Sequence, residues 1–207
     1  MTSAVLHYSL SFTTGGLFSV EASVAARLFH EVHDWNAVRT ALVSGEQLTF
    51  RTKSTATRVS REVISRLERL DQDELFLLAN GPPEVQTALC WIAACRRFEI
   101  IADFARTVIA DRIATKRTDI APADFDRFIE VQSISHPELD DISPSTHNKL
   151  RQVLMRMMRE AGFLTKSGNL SFYVLPPQVE SLSSVRQRGE QGLFPIRTRR
   201  SSVKEKH

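Results

Sequence analysis

Between positions 143 and 161 the chain sets out, at helical spacing, the residue types needed to hold a nucleic acid. At 100° per residue Ser145, Asn148, Gln152, Arg156 and Arg159 fall on one face, with Lys149 and Arg151 on its flanks. The cations can meet phosphates, the two amides can make paired hydrogen bonds to adenine, and Ser145 adds a small hydroxyl. Glu160, near the edge, is the one carboxylate there. Just beyond, the 164–170 turn adds Lys166 and Asn169, and Lys149, Arg156 and Lys166 suit phosphates better than bases. The plain alternative is an amphipathic helix whose arginines are only solvated.

The 53–69 segment repeats this chemistry less cleanly. With a buried stripe centred between Val63 and Leu67, its outer face holds Ser54, Arg58, Arg61 and Ser65, with Thr57 and Arg69 beside them and Lys53 at its entry. Glu62 and Glu68 also reach that side, and i,i+4 pairing of Arg58 with Glu62 is a competing structural account.

Other chemistry is weakly signalled. His30 and His33, with Glu31 and Asp34 nearby, lack the i,i+4 pair and further ligand of a zinc site, and read as an exposed polar turn. Glu99 and Asp103 stand at salt-bridging distance in sequence from Arg96 and Arg106. No Ser-His-Asp context, phosphate-binding glycine loop or nucleophile elbow occurs, and Gly15-Gly16 reads as a turn. The expectation is a protein without catalysis, metal or cofactor.

The elements that must position these faces are helical. Ser143 is suited to cap the 143–161 helix, Pro144 to its first position, and Leu150, Val153, Leu154, Met157, Met158 and Ala161 to one buried stripe. Asp124 caps an earlier helix with Phe125, Phe128 and Ile129, and a short element at 137–141 makes the 143–161 helix third in its set. Phe163-Leu164 and 170–175 then read as a small hairpin about the turn. Upstream, 8–14 is a short strand or extended arm, and Ser19 and Asp34 are candidate caps of two helices before the 53–69 helix. Apolar helices over 83–97 and 99–116 form the centre. The predicted fold is mainly α: two trihelical, helix-turn-helix-like units about a central helical core, the second a winged helix with a β-hairpin. Its parts are 1–80, 81–117, 118–177 and a basic, disordered tail at 178–207.

Bulk numbers fit a globular chain: 42% apolar, 25% charged, net +3. The charge is unevenly spread. Residues 1–177 carry 20 Lys and Arg against 21 Asp and Glu, and residues 178–207 carry 7 against 3. Nucleic-acid affinity in the body therefore requires local clustering of cations. The apolar stretch 88–95 is far short of the roughly 20 residues of a membrane span. No secretory leader is legible, and Cys90 and Cys95 diverge on a helix, so buried reduced thiols in a cytoplasmic protein are expected.

Taken in order, FTTGGL at 12–17, Glu21 to Ser23, Asp34-Trp35 with Val38, RTKSTATR at 51–58, Arg66-Leu67 with Leu70, IIADF at 100–104 and the 163–173 wing resemble the BrxA family of BREX bacteriophage-defence systems. The resemblance covers about residues 8–178. It implies a small helical protein that binds double-stranded DNA, serves other BREX proteins and has no enzyme activity of its own. A monomer is favoured. Two alternatives stay open: a protein–protein scaffold of the defence assembly, and an RNA-binding protein like the NusB-type antitermination factors.

Overall fold

Side-chain caps begin several of the helices. In the computed structural model, which describes residues 7–13 and 15–196, the N-terminal unit comprises α1 (Ser19–Val32), α2 (Trp35–Ser44), α3 (Lys53–Leu67) and α4 (Gln72–Asn80). Asp34 accepts the Asn36 N–H before α2, Thr52 the Thr55 N–H before α3, and Asp71 the Glu74 N–H before α4. Ser19, expected as a cap, is instead the first helical residue. The chain enters α1 through Phe18 in the left-handed region at φ 59°.

The centre is α5 (Pro83–Arg97), followed by α6 (Glu99–Phe104), a π-helical turn (Ala105–Ile109) and α7 (Ala110–Ala114). The single helix expected over 99–116 is thus interrupted by one wider turn. On α5, Val85 and every residue from Ala88 to Cys95 are buried, which accounts for apolar residues all round that part of the helix. Cys90 and Cys95 are free thiols within it, and burial pushes the Cys90 thiol up to about 12.

The C-terminal unit holds α8 (Pro122–Ser133), a 3-10 turn (Pro137–Leu139) and α9 (Pro144–Glu160). Ser143 caps α9 through the Thr146 N–H at 3.2 Å, and the predicted stripe from Leu150 to Ala161 is buried. Asp124 sits inside the first turn of α8, accepting the Ala121 N–H at 2.8 Å and pairing with Arg112.

The predicted winged helix with a β-hairpin is corrected. Among the described residues there is no strand, only isolated antiparallel bridges, Leu164 with Leu170 and Asp119 with Asn169. The Phe163-Leu164 arm is too short for a ladder, and Phe163, Leu164, Leu170 and Leu175 turn into the core while Phe172 and Val174 stay exposed. Phe163 is fully buried, edge-on to Trp91 at 5.1 Å and to Tyr173 at 4.9 Å.

The predicted disordered tail is corrected for residues 178–196. After α10 (Pro177–Glu180) come α11 (Ser183–Gln187) and a 3-10 turn (Glu190–Leu193), forming a strap across the core. Val179, Val185, Leu193 and Phe194 are buried, and Trp91 Nε1 donates to the Leu193 carbonyl at 3.0 Å. Arg96, expected to serve Glu99 and Asp103, instead reaches Glu74 at 2.6 Å and Glu190 at 2.8 Å, while Arg106 takes Glu99 and Asp103. The basic residues Arg197 to Lys206 lie outside the described residues.

The N-terminal arm is extended. Its Tyr8 hydroxyl donates to Asp103 at 2.6 Å, with Gln132 Oε1 3.0 Å away, and its ring stacks on His136 at 3.8 Å. Burial and the neighbouring Asp103 carboxylate push the phenol above its ordinary value. Tyr8→Phe removes a charge-assisted hydrogen bond while keeping the ring, and is expected to cost about 1–2 kcal/mol, read as a lowered melting temperature.

Candidate nucleic-acid interface

Two helices present basic faces. Within α9 the cations are Lys149, Arg151, Arg156 and Arg159, and the lone acid is Glu160. Within α3 they are Lys53, Arg58, Arg61 and Arg66, and the lone acid is Glu62. Ser145, Asn148, Lys149, Gln152, Arg156 and Arg159 are all exposed, as are Lys53, Ser54, Arg58 and Arg61, while Thr57 is partly covered.

The polar groups on α9 differ in how free they are. Asn148 Oδ1 accepts from Arg151 Nη2 at 2.7 Å, and Arg151 Nη1 donates to both carboxylate oxygens of Asp126, at 2.6 and 2.7 Å. Asn148 is therefore not poised to offer its acceptor to a base, and Arg151 is charge-compensated. The Ser145 hydroxyl shares a hydrogen bond with Ser143 at 2.9 Å. Lys149 and Gln152 have no side-chain partner among the described residues. Arg156 gives its Nε to Glu160 at 2.7 Å but leaves the rest of its guanidinium outward, 61% exposed. In the adjoining turn Lys166 is exposed, and Asn169 Nδ2 donates to Ser167 at 3.2 Å.

On α3 the expected Arg58–Glu62 pair does not form. Glu62 binds Arg66 instead, at 2.7 and 2.9 Å, so Arg58 and Arg61 have no ion-pair partner among the described residues. Thr57 returns its hydroxyl to the Lys53 carbonyl at 3.0 Å. Arg66, four residues after Glu62, turns fully inward.

The residues that sequence reasoning missed lie where the ends of these helices meet. Arg66 is buried, donates to the Gly16 carbonyl at 2.8 Å, and lies over the Phe18 and Phe98 rings at 5.2 and 5.7 Å. Burial presses its guanidinium below the ordinary value, and Glu62 opposes that shift. Glu160 Oε2 accepts the Leu17 N–H at 2.6 Å. The peptide joining Gly16 to Leu17 is thus held on its carbonyl by α3 and on its N–H by α9. Both glycines are required: Gly15 has φ 85° and lies under the Phe18 ring, and a Cβ on Gly16 would collide with the Glu160 carboxylate. In the sequence these positions stood out only as the Gly15-Gly16 turn, as Arg66 among the residues of the family resemblance and as Glu160 at the edge of the basic face. Glu160 of α9 binds this peptide directly, and Glu62 of α3 binds it only through Arg66.

Among the described residues no helix is long and apolar enough to cross a membrane, and no group of three or more potential ligands is placed to hold a metal ion.

The chain is 25% identical over 184 residues to BREX protein BrxA of Paramagnetospirillum magneticum, covering 89% of this chain and 92% of that protein. It is likewise 25% identical over 184 residues to BREX protein BrxA of Escherichia coli O9:H4 (strain HS), covering 88% and 85%. A crystal structure of an uncharacterized protein from Magnetospirillum magneticum shares the fold, with a TM-score of 0.76 and 22% identity over 91% of this chain and 96% of that one. The BrxA family profile matches residues 6–185, and the chain belongs to that family.

Proposed function

We propose that the protein is a noncatalytic accessory component of a BREX defence system that holds double-stranded DNA, mainly by its phosphates. The observation that carries this reading is the pair of basic helix faces, on α3 and α9, whose only carboxylates are already engaged, Glu62 by Arg66 and Glu160 by the Leu17 N–H and Arg156. Lys53, Arg58, Arg61, Lys149, Arg156 and Lys166 are assigned to phosphates. Gln152 is the amide best placed for a base edge, while Ser54, Thr57, Ser145, Asn148 and Asn169 supply shorter polar contacts. In this reading residues 1–80 and 118–177 each present one face and 81–117 set them relative to one another.

The test is a competition titration. A labelled duplex bound by the protein is challenged with unlabelled duplex and with structured RNA of equal length. Displacement by duplex at lower concentration supports the reading, and preferential displacement by RNA contradicts it.

A second reading, a scaffold for other defence proteins, is favoured by Val131 on α8 and Ile134 just past its C-terminus, which are 57% and 83% exposed. Retention of protein partners after nuclease treatment, with no duplex affinity at low salt, would support it over the first.

A further inference from the structure

We propose that the Gly15–Leu17 turn is a clamp that fixes α3 and α9 relative to one another so that both basic faces engage one duplex, with Glu160 and Arg66 as its positioning residues. The inference rests on the DNA-binding reading and adds to it a device that sets how many phosphates are met at once. Its basis is a single peptide grasped from both sides: Arg66 of α3 donates to the Gly16 carbonyl at 2.8 Å, and Glu160 of α9 accepts the Leu17 N–H at 2.6 Å. The surroundings stiffen that grasp. Glu62 fixes the Arg66 guanidinium through Nε and Nη2, Phe18 and Phe98 lie against it, and Arg156 holds the second oxygen of Glu160. Gly15 and Gly16 leave no room for a side chain that would push these groups apart.

Simple electrostatics and the clamp make opposite predictions for Glu160. Removing a carboxylate from a DNA-binding surface raises its net positive charge and strengthens binding. Removing the acceptor that holds Leu17 lets the two faces move independently, so that ordering them on DNA costs entropy and fewer phosphates are met together.

Duplex titrations over a salt series are therefore compared for the full chain, Glu160→Ala, Glu160→Gln and Glu160→Asp, with melting curves for each. Glu160→Ala is expected to bind about tenfold more weakly, with a salt slope shallower by about 1 to 2, since each phosphate contact contributes about 0.9. Glu160→Gln keeps an oxygen for the Leu17 N–H while losing the charge, and is expected to match the parent or bind more tightly. Glu160→Asp keeps the charge on a side chain one methylene shorter, and is expected to weaken binding and flatten the slope as Glu160→Ala does. The clamp is overturned if a folded Glu160→Ala binds as tightly as the parent, or if Glu160→Gln is as impaired as Glu160→Ala. Should Glu160→Ala not fold, parental affinity and slope in Glu160→Asp overturn it. If the parent itself binds no duplex, the DNA-binding reading fails first and the clamp with it; a binding parent with indifferent variants sinks the clamp alone.

Discussion

Duplex binding should fall about 100-fold when Lys149, Gln152 and Arg156 are replaced together by alanine, with the salt slope shallower by about 2. The size follows from the surface. Among the described residues Lys149 and Gln152 have no competing side-chain partner, and Arg156 gives only its Nε to Glu160. Two phosphate-directed cations and the least encumbered amide are removed together. Folding should be untouched, because all three side chains are exposed and alanine is the stronger helix former. Arg156 and the Leu17 N–H use different oxygens of Glu160, so this variant leaves the acceptor of the Leu17 N–H in place. Anisotropy titration beside a melting curve separates lost contact from lost structure, and unchanged affinity would remove α9 from the interface.

Loss of Arg96 should be strongly destabilising. Its guanidinium lies between Glu74, which is fully buried, and Glu190, which the C-terminal strap brings across the core. Ser184 of the same strap donates to Glu74 at 2.6 Å. Arg96→Ala leaves two buried carboxylates without a counterion, at a cost of about 3–5 kcal/mol. For a chain of this length that corresponds to a fall in melting temperature of about 10 °C. The strap, losing its polar anchor, should become open to limited proteolysis between 181 and 192. An unchanged melting temperature would mean that the triad contributes no net stability.

The same triad carries a pH dependence. Burial works against the charge on Glu74, but Arg96, Ser184 and the Asp71 backbone together hold its carboxyl below the ordinary value of 4.5. Its contribution to stability is fully present above that value, erodes below it, and is gone once the pH passes the lowered value in the folded protein.

How much of this was legible in the sequence depended on the range of the interactions. The α9 helix could be read because its cap, its N1 proline and its buried stripe all lie within one segment. The apolar helices at 83–97 and from 99 could be read for the same reason. The strap could not: Val179, Val185, Leu193 and Phe194 are spaced irregularly among Ser, Gln and Arg, and their burial depends on the distant surface of α5. Arg66, Glu74 and Arg96 escaped because periodicity assigns charged residues to the outside, whereas here they are buried with partners supplied from elsewhere in the chain. Arg66 and Gly16 are 50 positions apart, and Arg96 and Glu190 are 94. Phe163-Leu164 and Leu170 had the composition of strands, but what decided their fate was an aromatic cluster formed with Trp91 and Phe194. At the candidate interface, exposure followed from helical spacing alone. The hydrogen bond that occupies Asn148 did not.

The central claim, that two basic helix faces jointly hold duplex DNA by its phosphates, is tested most directly by titrating the full chain with a specific and a scrambled duplex across a salt series. The account predicts measurable binding at low salt to both duplexes with similar affinity. It also predicts a log–log slope of about −4 to −5, as about five phosphate contacts shared between α3 and α9 would give. No binding at low salt, or binding whose affinity does not change with salt, would contradict it.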